Sequence, residues 1–128
     1  MTSRRRSVLL LVPVLALAAC GGGGGGSASS GSVPADPNLT VIAEDIHFDQ
    51  KAYSVPAGEV RIAYPNKGQQ THTLVVQSPA GDKIDPKLSV APGKETGGVY
   101  QLQPGVYTIY CDITGHREAG MVATLTVG

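Results

Sequence analysis

Between Tyr110 and Met121 the chain reads YCDITGHREAGM, with a histidine five residues after Cys111 and a methionine five beyond that. Cys111 is the only cysteine after position 20, and Met121 is one of two methionines. Thiolate, imidazole and thioether together are donors that a soft metal ion takes. The small residues Gly115, Ala119 and Gly120 lie among them, and glycine allows the tight backbone that turns several side chains to one point. A fourth donor has to come from elsewhere, and the other histidines are His47 and His72. His72 opens the run Thr71-His72-Thr73-Leu74-Val75-Val76 just after a Pro/Asn/Gly turn. That placement carries it to the same end of a β fold as the loop after Cys111. His47, between Ile46 and Phe48, reads as a surface or edge histidine inside a strand.

Two imidazoles, one thiolate and a weak thioether are the ligand set of a trigonal copper site with a long axial methionine, a site that transfers electrons. Zinc takes Cys and His but rarely Met. Iron–sulfur clusters need more cysteines than this chain offers. A hydrolase built on a Cys-His pair is possible, but it has no use for Met121, and Asp112 is the only evident third orienting group. The plainest alternative makes Cys111 and Met121 core residues and His116 an exposed one.

The elements that must position these donors read as β. No window shows helical periodicity. Strand-like runs recur at Thr40 to Phe48, Ala52 to Val55, Glu59 to Tyr64, Thr71 to Gln77, Val99 to Leu102, Val106 to Cys111 and Val122 to Val127. Turn signals separate them, among them Pro56-Ala57-Gly58, Pro79-Ala80-Gly81-Asp82, Pro92-Gly93 and Pro104-Gly105. Short strands with regular Gly/Pro punctuation predict an all-β Greek-key sandwich. Gln103-Pro104-Gly105-Val106-Tyr107 has the form of a tyrosine corner. Alternation then points Tyr107, Ile109 and Cys111 to one face, and Val106, Thr108 and Tyr110 to the other. In the last run Ala123, Leu125 and Val127 alternate with Val122, Thr124 and Thr126.

The start of the chain reads as an export signal. Arg4, Arg5 and Arg6 precede the apolar stretch Val8 to Leu17, which is too short for a membrane span. Leu17-Ala18-Ala19-Cys20 resembles the bacterial lipobox, in which cleavage precedes a lipid-bearing cysteine. The expected division is therefore a lipoprotein signal peptide at 1–19, a lipidated Cys20 with a Gly/Ser-rich linker at 20–38, and a folded domain at 39–128. Gly and Ser cannot bury enough surface to order such a linker. With Cys20 lipidated, Cys111 has no disulfide partner in the chain, so its thiol is free to act as a ligand or nucleophile. The full chain is neutral, and loss of Arg4 to Arg6 leaves the remainder three charges negative. That balance speaks against nucleic acid as a partner.

With these residues in place, the stretch from about Leu39 to Gly128 resembles the cupredoxin family, type 1 blue-copper proteins such as plastocyanin, azurin and rusticyanin. The likeness is carried by Gly105 to Cys111, by Gly115-His116 and by Ala119-Gly120-Met121. It implies one type 1 copper ion with His72, Cys111 and His116 as equatorial ligands and Met121 as the axial one. Gly115 stands where the binuclear copper domain of cytochrome oxidase has a second cysteine, so the expected site is mononuclear. Thr73 stands where many small members have an Asn that ties the two ligand loops together. The implied function is a monomeric electron carrier and not an enzyme. It would be lipid-anchored to the outer face of the cytoplasmic membrane, or lie in the periplasm or cell envelope. Its partners would be transient redox proteins, respiratory or other membrane electron-transfer proteins. Electrons would leave at the His116 edge, under an apolar patch of Ile113, Gly115 and Ala119, or through Tyr110. Arg117 and Glu118 are either a solvated turn or a charge pair that orients the partner. The alternatives are a copper-binding or copper-delivery lipoprotein, disfavoured by the scarcity of Met and His, and an interaction module without metal.

Overall fold

The computed structural model describes residues 31–128. The export segment, Cys20 and the glycine run lie outside the described residues. Among the described residues there are ten strands and no helix. They are β1 (Leu39–Thr40), β2 (Ala43–Glu44), β3 (His47–Phe48), β4 (Ala52–Val55), β5 (Gly58–Pro65), β6 (His72–Gln77), β7 (Lys83–Val90), β8 (Glu95–Leu102), β9 (Gly105–Tyr110) and β10 (Val122–Val127). A three-stranded sheet in the order β1-β5-β8 faces a five-stranded sheet in the order β4-β10-β9-β6-β7, and β2 and β3 form a small hairpin. The chain crosses between the two large sheets from β4 to β5, from β5 to β6, from β7 to β8 and from β8 to β9.

Strand alternation decides what lies inside. On β9 Tyr107 and Ile109 are buried and Val106 is exposed, and on β10 Ala123, Leu125 and Val127 are buried. Ile62, Leu74, Leu102, Ile109 and Leu125 are fully buried between the sheets, and each such side chain contributes about 1.5–3 kcal/mol. The tyrosine corner forms as the sequence requires, with the Tyr107 hydroxyl donating to the Gln103 carbonyl at 2.9 Å.

Four segments differ from the sequence expectation. The run Thr40 to Phe48 is not one strand. It breaks into β1, β2 and β3, with Glu44 opposite His47 and a turn at Asp45-Ile46. The Glu44-Asp45 pair inside an apolar run marks that turn. β7 has no counterpart among the expected strands, because Pro86 and the charged residues of Lys83 to Lys87 mask it. It is an edge strand, where a missing N–H leaves no gap in a ladder. β8 begins at Glu95, four residues before the expected start. Its Gly97 reads as a turn residue, yet it is buried where Val33 and Pro34 cross the sheet against it. Residues 31–38, expected to belong to the flexible linker, pack on the small sheet. Gly97 N–H donates to Gly31 at 3.2 Å, Arg61 Nε donates to the Asp36 carbonyl at 2.6 Å, and Asn38 Oδ1 accepts from Arg61 N–H at 2.7 Å.

Antiparallel pairing sets up the site end. Val75 of β6 lies opposite Tyr110 of β9, and Val122 of β10 lies opposite the same Tyr110. The start of β6, the end of β9 and the start of β10 therefore meet at one pole, joined there by the loop 111–121.

Candidate metal centre

Four expected donors come from three neighbouring strands or their ends. The β9–β10 ladder runs one step beyond its last paired strand residues, with Cys111 N–H donating to the Met121 carbonyl at 3.1 Å. Cys111 and Met121 are therefore side by side, and both are fully buried. Met121 N–H donates to the His116 carbonyl at 3.0 Å, and His116 N–H to Ile113 at 3.0 Å, which folds the intervening loop back on itself. Gly120 closes this loop at φ 111°, and its carbonyl accepts from Lys51 Nζ at 2.7 Å.

His72, Cys111 and His116 converge. Their ligand atoms all lie within 4.8 Å of one another, and all three residues are buried. Cys111 Sγ and His116 Nδ1 are 3.5 Å apart, and the two imidazole centroids are 5.1 Å apart at 53°. His72 Nε2 donates to Asp45 Oδ1 at 3.0 Å. Its Nδ1 is buried without any hydrogen-bond partner, the one such side-chain atom among the described residues. A buried polar atom left unpaired costs about 1–3 kcal/mol, so this nitrogen has a strong call for a partner. A soft cation held jointly with a thiolate and a second imidazole supplies one. The donor set and the bare nitrogen fit a metal ion.

Around the sulfur, Thr73 takes the role expected of an Asn. Thr73 N–H lies 3.4 Å from Cys111 Sγ, as does Thr73 Oγ1. The same hydroxyl accepts the Asp112 N–H at 2.9 Å and reaches Asp112 Oδ1 at 2.7 Å. The hydroxyl has one proton, and the shorter contact to an ionised acceptor takes it. The backbone N–H is then the steady donor to sulfur. Tyr64, fully buried, donates its hydroxyl to the Thr73 carbonyl at 2.9 Å. Burial first, and the Cys111 thiol second, raise its phenol well above the ordinary range.

Two carboxylates flank the site. Asp45 Oδ2 accepts Gln69 N–H at 2.7 Å, and Oδ1 accepts Gln70 N–H at 3.3 Å beside the His72 ring. The Gln69 N–H first, and His72 next, hold its carboxyl below the ordinary value. Burial raises the Asp112 carboxyl, but the Thr73 hydroxyl and the Lys87 ammonium 3.1 Å away more than offset this, and it too sits low. Asn66 organises the loop ahead of His72 by donating Nδ2 to the Gln70 carbonyl at 2.7 Å and accepting Gly68 N–H at 2.8 Å.

His47 stays outside the site. Its ring is about half exposed and paired with Glu44 at 2.6 Å. Tyr110 is buried beneath Arg117, whose guanidinium carbon is 4.1 Å from the ring centroid. Neither of the two sequence readings of Arg117 includes that stacking. Gly115 and Ala119 are exposed around His116, which is itself only 7% exposed, while Ile113 is half-buried and packs on the core. Sequence reasoning missed Asp45, Lys51, Tyr64 and Asn66. For Asp45 the signal was the polar break in an apolar run. Asn66 falls in the Pro65-Asn66-Lys67-Gly68 turn ahead of His72, and Lys51 offers no such signal.

The profile of the cupredoxin-like domain matches residues 10–127. Plastocyanin from Prochlorothrix hollandica is 37% identical over 84 residues, a span of 62% of this chain and 62% of that protein. The chain thus aligns with less than two thirds of that relative's length. Among solved structures, dithionite-reduced auracyanin from Roseiflexus castenholzii superposes with a TM-score of 0.64 at 19% identity, covering 74% of this chain and 99% of that one. Auracyanin A from Chloroflexus aurantiacus, described as a "blue" copper protein, gives 0.62 at 18%, covering 73% and 100%. At these identities the structures establish a shared fold.

Proposed function

The chain belongs to the cupredoxin-like family, and from that premise we propose that it is a membrane-tethered, extracytoplasmic electron carrier with a single type 1 copper ion. The observation that carries the proposal is the convergence of one ligand atom each from His72, Cys111 and His116 within 4.8 Å of one another, together with a bare, buried Nδ1 on His72. His72, Cys111 and His116 would hold the ion, with the Met121 thioether as a fourth, weaker donor. Bound there, copper supplies a one-electron couple between its cuprous and cupric states.

The chain's own residues do the rest. Sheet ends and the Thr73–Asp112 bonds fix the donors, so little has to rearrange when charge changes. Thr73 N–H steadies the thiolate charge of Cys111. Full burial of His72, Cys111 and Met121 keeps water from the donors. His116, the donor that reaches the surface, would pass the electron, with exposed Gly115 and Ala119 leaving room for a partner to approach. Tyr110 is the second route, screened by Arg117. Weak redox encounters bury little surface, so the partners are transient redox proteins of the membrane. Three fully buried donors also argue against copper delivery, which needs ligands within reach of a receiving site.

The tether would be a lipid on Cys20. Because residues 31–38 pack on the sandwich, the Gly/Ser stretch left between lipid and domain is 21–30. Metabolic labelling with a fatty acid is expected to mark the wild type and not a Cys20→Ser variant, and an unlabelled wild type would refute the anchor.

The main test is an optical and electron-spin-resonance spectrum of the chain loaded with Cu(II). Intense thiolate-to-copper absorption, bleached by a reductant and restored by an oxidant, is expected. Colourless binding would favour delivery, and no binding would leave a module without metal.

A further inference from the structure

Asp45 lies 27 positions from His72 in sequence, in the turn between β2 and β3, yet its Oδ1 is the sole polar partner of the His72 ring. The ring is fully buried, with Nε2 3.0 Å from a carboxylate and Nδ1 bare. An ionised carboxylate accepts and cannot donate, so it fixes the proton on Nε2 and leaves the Nδ1 lone pair free, on the histidine that converges with Cys111 and His116. The carboxylate is itself held from behind by Gln69 and Gln70 N–H groups at 2.7 and 3.3 Å. Gly68 adds to this fit: a Cβ at that position would collide with Asp45 Oδ1. Capping of the 68–70 backbone would by itself explain the Gln69 and Gln70 bonds. It does not explain why the same oxygen sits on the one imidazole whose other nitrogen is buried without a partner.

We propose that Asp45 is a positioning residue that presets the His72 tautomer and, by its negative charge, favours a divalent over a monovalent ion at the site, so lowering the reduction potential. The inference rests on the copper reading above. A carboxylate behind a ligating imidazole fixes ring orientation and raises its basicity, and losing it typically costs 10–100-fold in metal affinity. The loss falls mainly on the divalent state, because the attraction of a fixed negative charge scales with the charge on the ion.

The test compares wild type with Asp45→Asn and Gly68→Ala. Asp45→Asn keeps the size and an acceptor oxygen but removes the charge. Gly68→Ala keeps the charge but pushes the carboxylate off the ring. In both, Cu(II) affinity is expected to fall about tenfold relative to Cu(I), which raises the potential by about 59 mV. In the metal-free proteins, 15N chemical shifts of the His72 ring are expected to report a proton fixed on Nε2 in wild type and a mixed tautomer in Gly68→Ala. An unchanged potential and unchanged tautomer in both variants would overturn the proposal, as would a lower stability with no shift in potential. If wild type bound no copper, the functional reading would fall. The metal-free tautomer would still decide whether Asp45 presets His72.

Discussion

Thr73 Oγ1 accepts the Asp112 N–H at 2.9 Å and reaches the Asp112 carboxylate at 2.7 Å, so one side chain joins the loops of both ligand groups. The backbone pairing of β6 with β9 ends at Val75 and Tyr110. Beyond it the Thr73 carbonyl goes to Tyr64, its N–H points at Cys111 Sγ, and the hydroxyl continues the ladder in the backbone's place. Thr73→Val keeps the shape and the N–H but leaves the part-buried Asp112 N–H without its acceptor. A loss of about 1–3 kcal/mol is expected in urea unfolding of the metal-free domain, with thiolate–copper colour retained. Loss of the colour would show that the hydroxyl, and not the N–H, serves the sulfur.

The single hydroxyl proton of Thr73 has two acceptors, Asp112 Oδ1 at 2.7 Å and Cys111 Sγ at 3.4 Å. Asp112→Ala removes the stronger one and turns the proton to sulfur. A second donor to the thiolate draws its charge away from the metal, so the potential is expected to rise and the thiolate-to-copper band to shift. An identical spectrum would mean the hydroxyl already points at sulfur in wild type.

Tyr107 stands at the opposite pole, its hydroxyl on the Gln103 carbonyl at 2.9 Å. Tyr107→Phe is expected to cost about 0.5–1.5 kcal/mol of stability. The spectrum and potential should not move, because no part of the corner touches the site. A moved potential would show coupling along β9.

Gly120 adopts φ 111° immediately before Met121. A side chain is strained in that region by about 1–3 kcal/mol. Gly120→Ala is expected to lower stability by that amount and to speed copper loss to a chelator, because relief of the strain displaces Met121. Stability equal to wild type would show that the loop relaxes without moving Met121.

Asp49, with Asp45 and Asp112, contributes to the acid dependence of the domain, and it does so away from the site. Burial pushes its carboxyl up, but the Tyr53 hydroxyl at 2.7 Å and the Ile42 N–H at 2.9 Å more than offset this, so its pKa lies below the ordinary 3.8. A carboxyl lowered by folding adds stability above its unfolded value, and that stability is lost as pH falls through the folded value. Asp49→Asn should therefore be less stable than wild type at pH 7, by about 1 kcal/mol, and the difference should shrink below about pH 4. A difference that grew on acidification would reverse the assigned sign.

Much of the site was legible in the sequence. Cys111, His116 and Met121 sit within eleven consecutive residues, and local chain geometry almost forces them together once a strand ends at Cys111. His72 was reachable because a turn signal put it at the start of a strand. The tyrosine corner and the alternation of β9 and β10 were readable for the same reason, since each depends on neighbours in the chain. Thr73 stands in the place of an Asn by sequence, but whether a hydroxyl can bridge the loops depends on the spacing of β6 and β9.

What only the tertiary structure decided involves residues far apart in the chain. Asp45 reaches His72 because the first apolar run folds into a hairpin and not a strand. Arg117 covers Tyr110 because the ligand loop turns back over β9. Lys83 to Val90 becomes a strand despite Pro86 because an edge position tolerates a missing donor. Periodicity and spacing report which residues of one segment share a face. They carry no record of which other segment that face will meet, because that is set by how the two sheets pack and where their loops close.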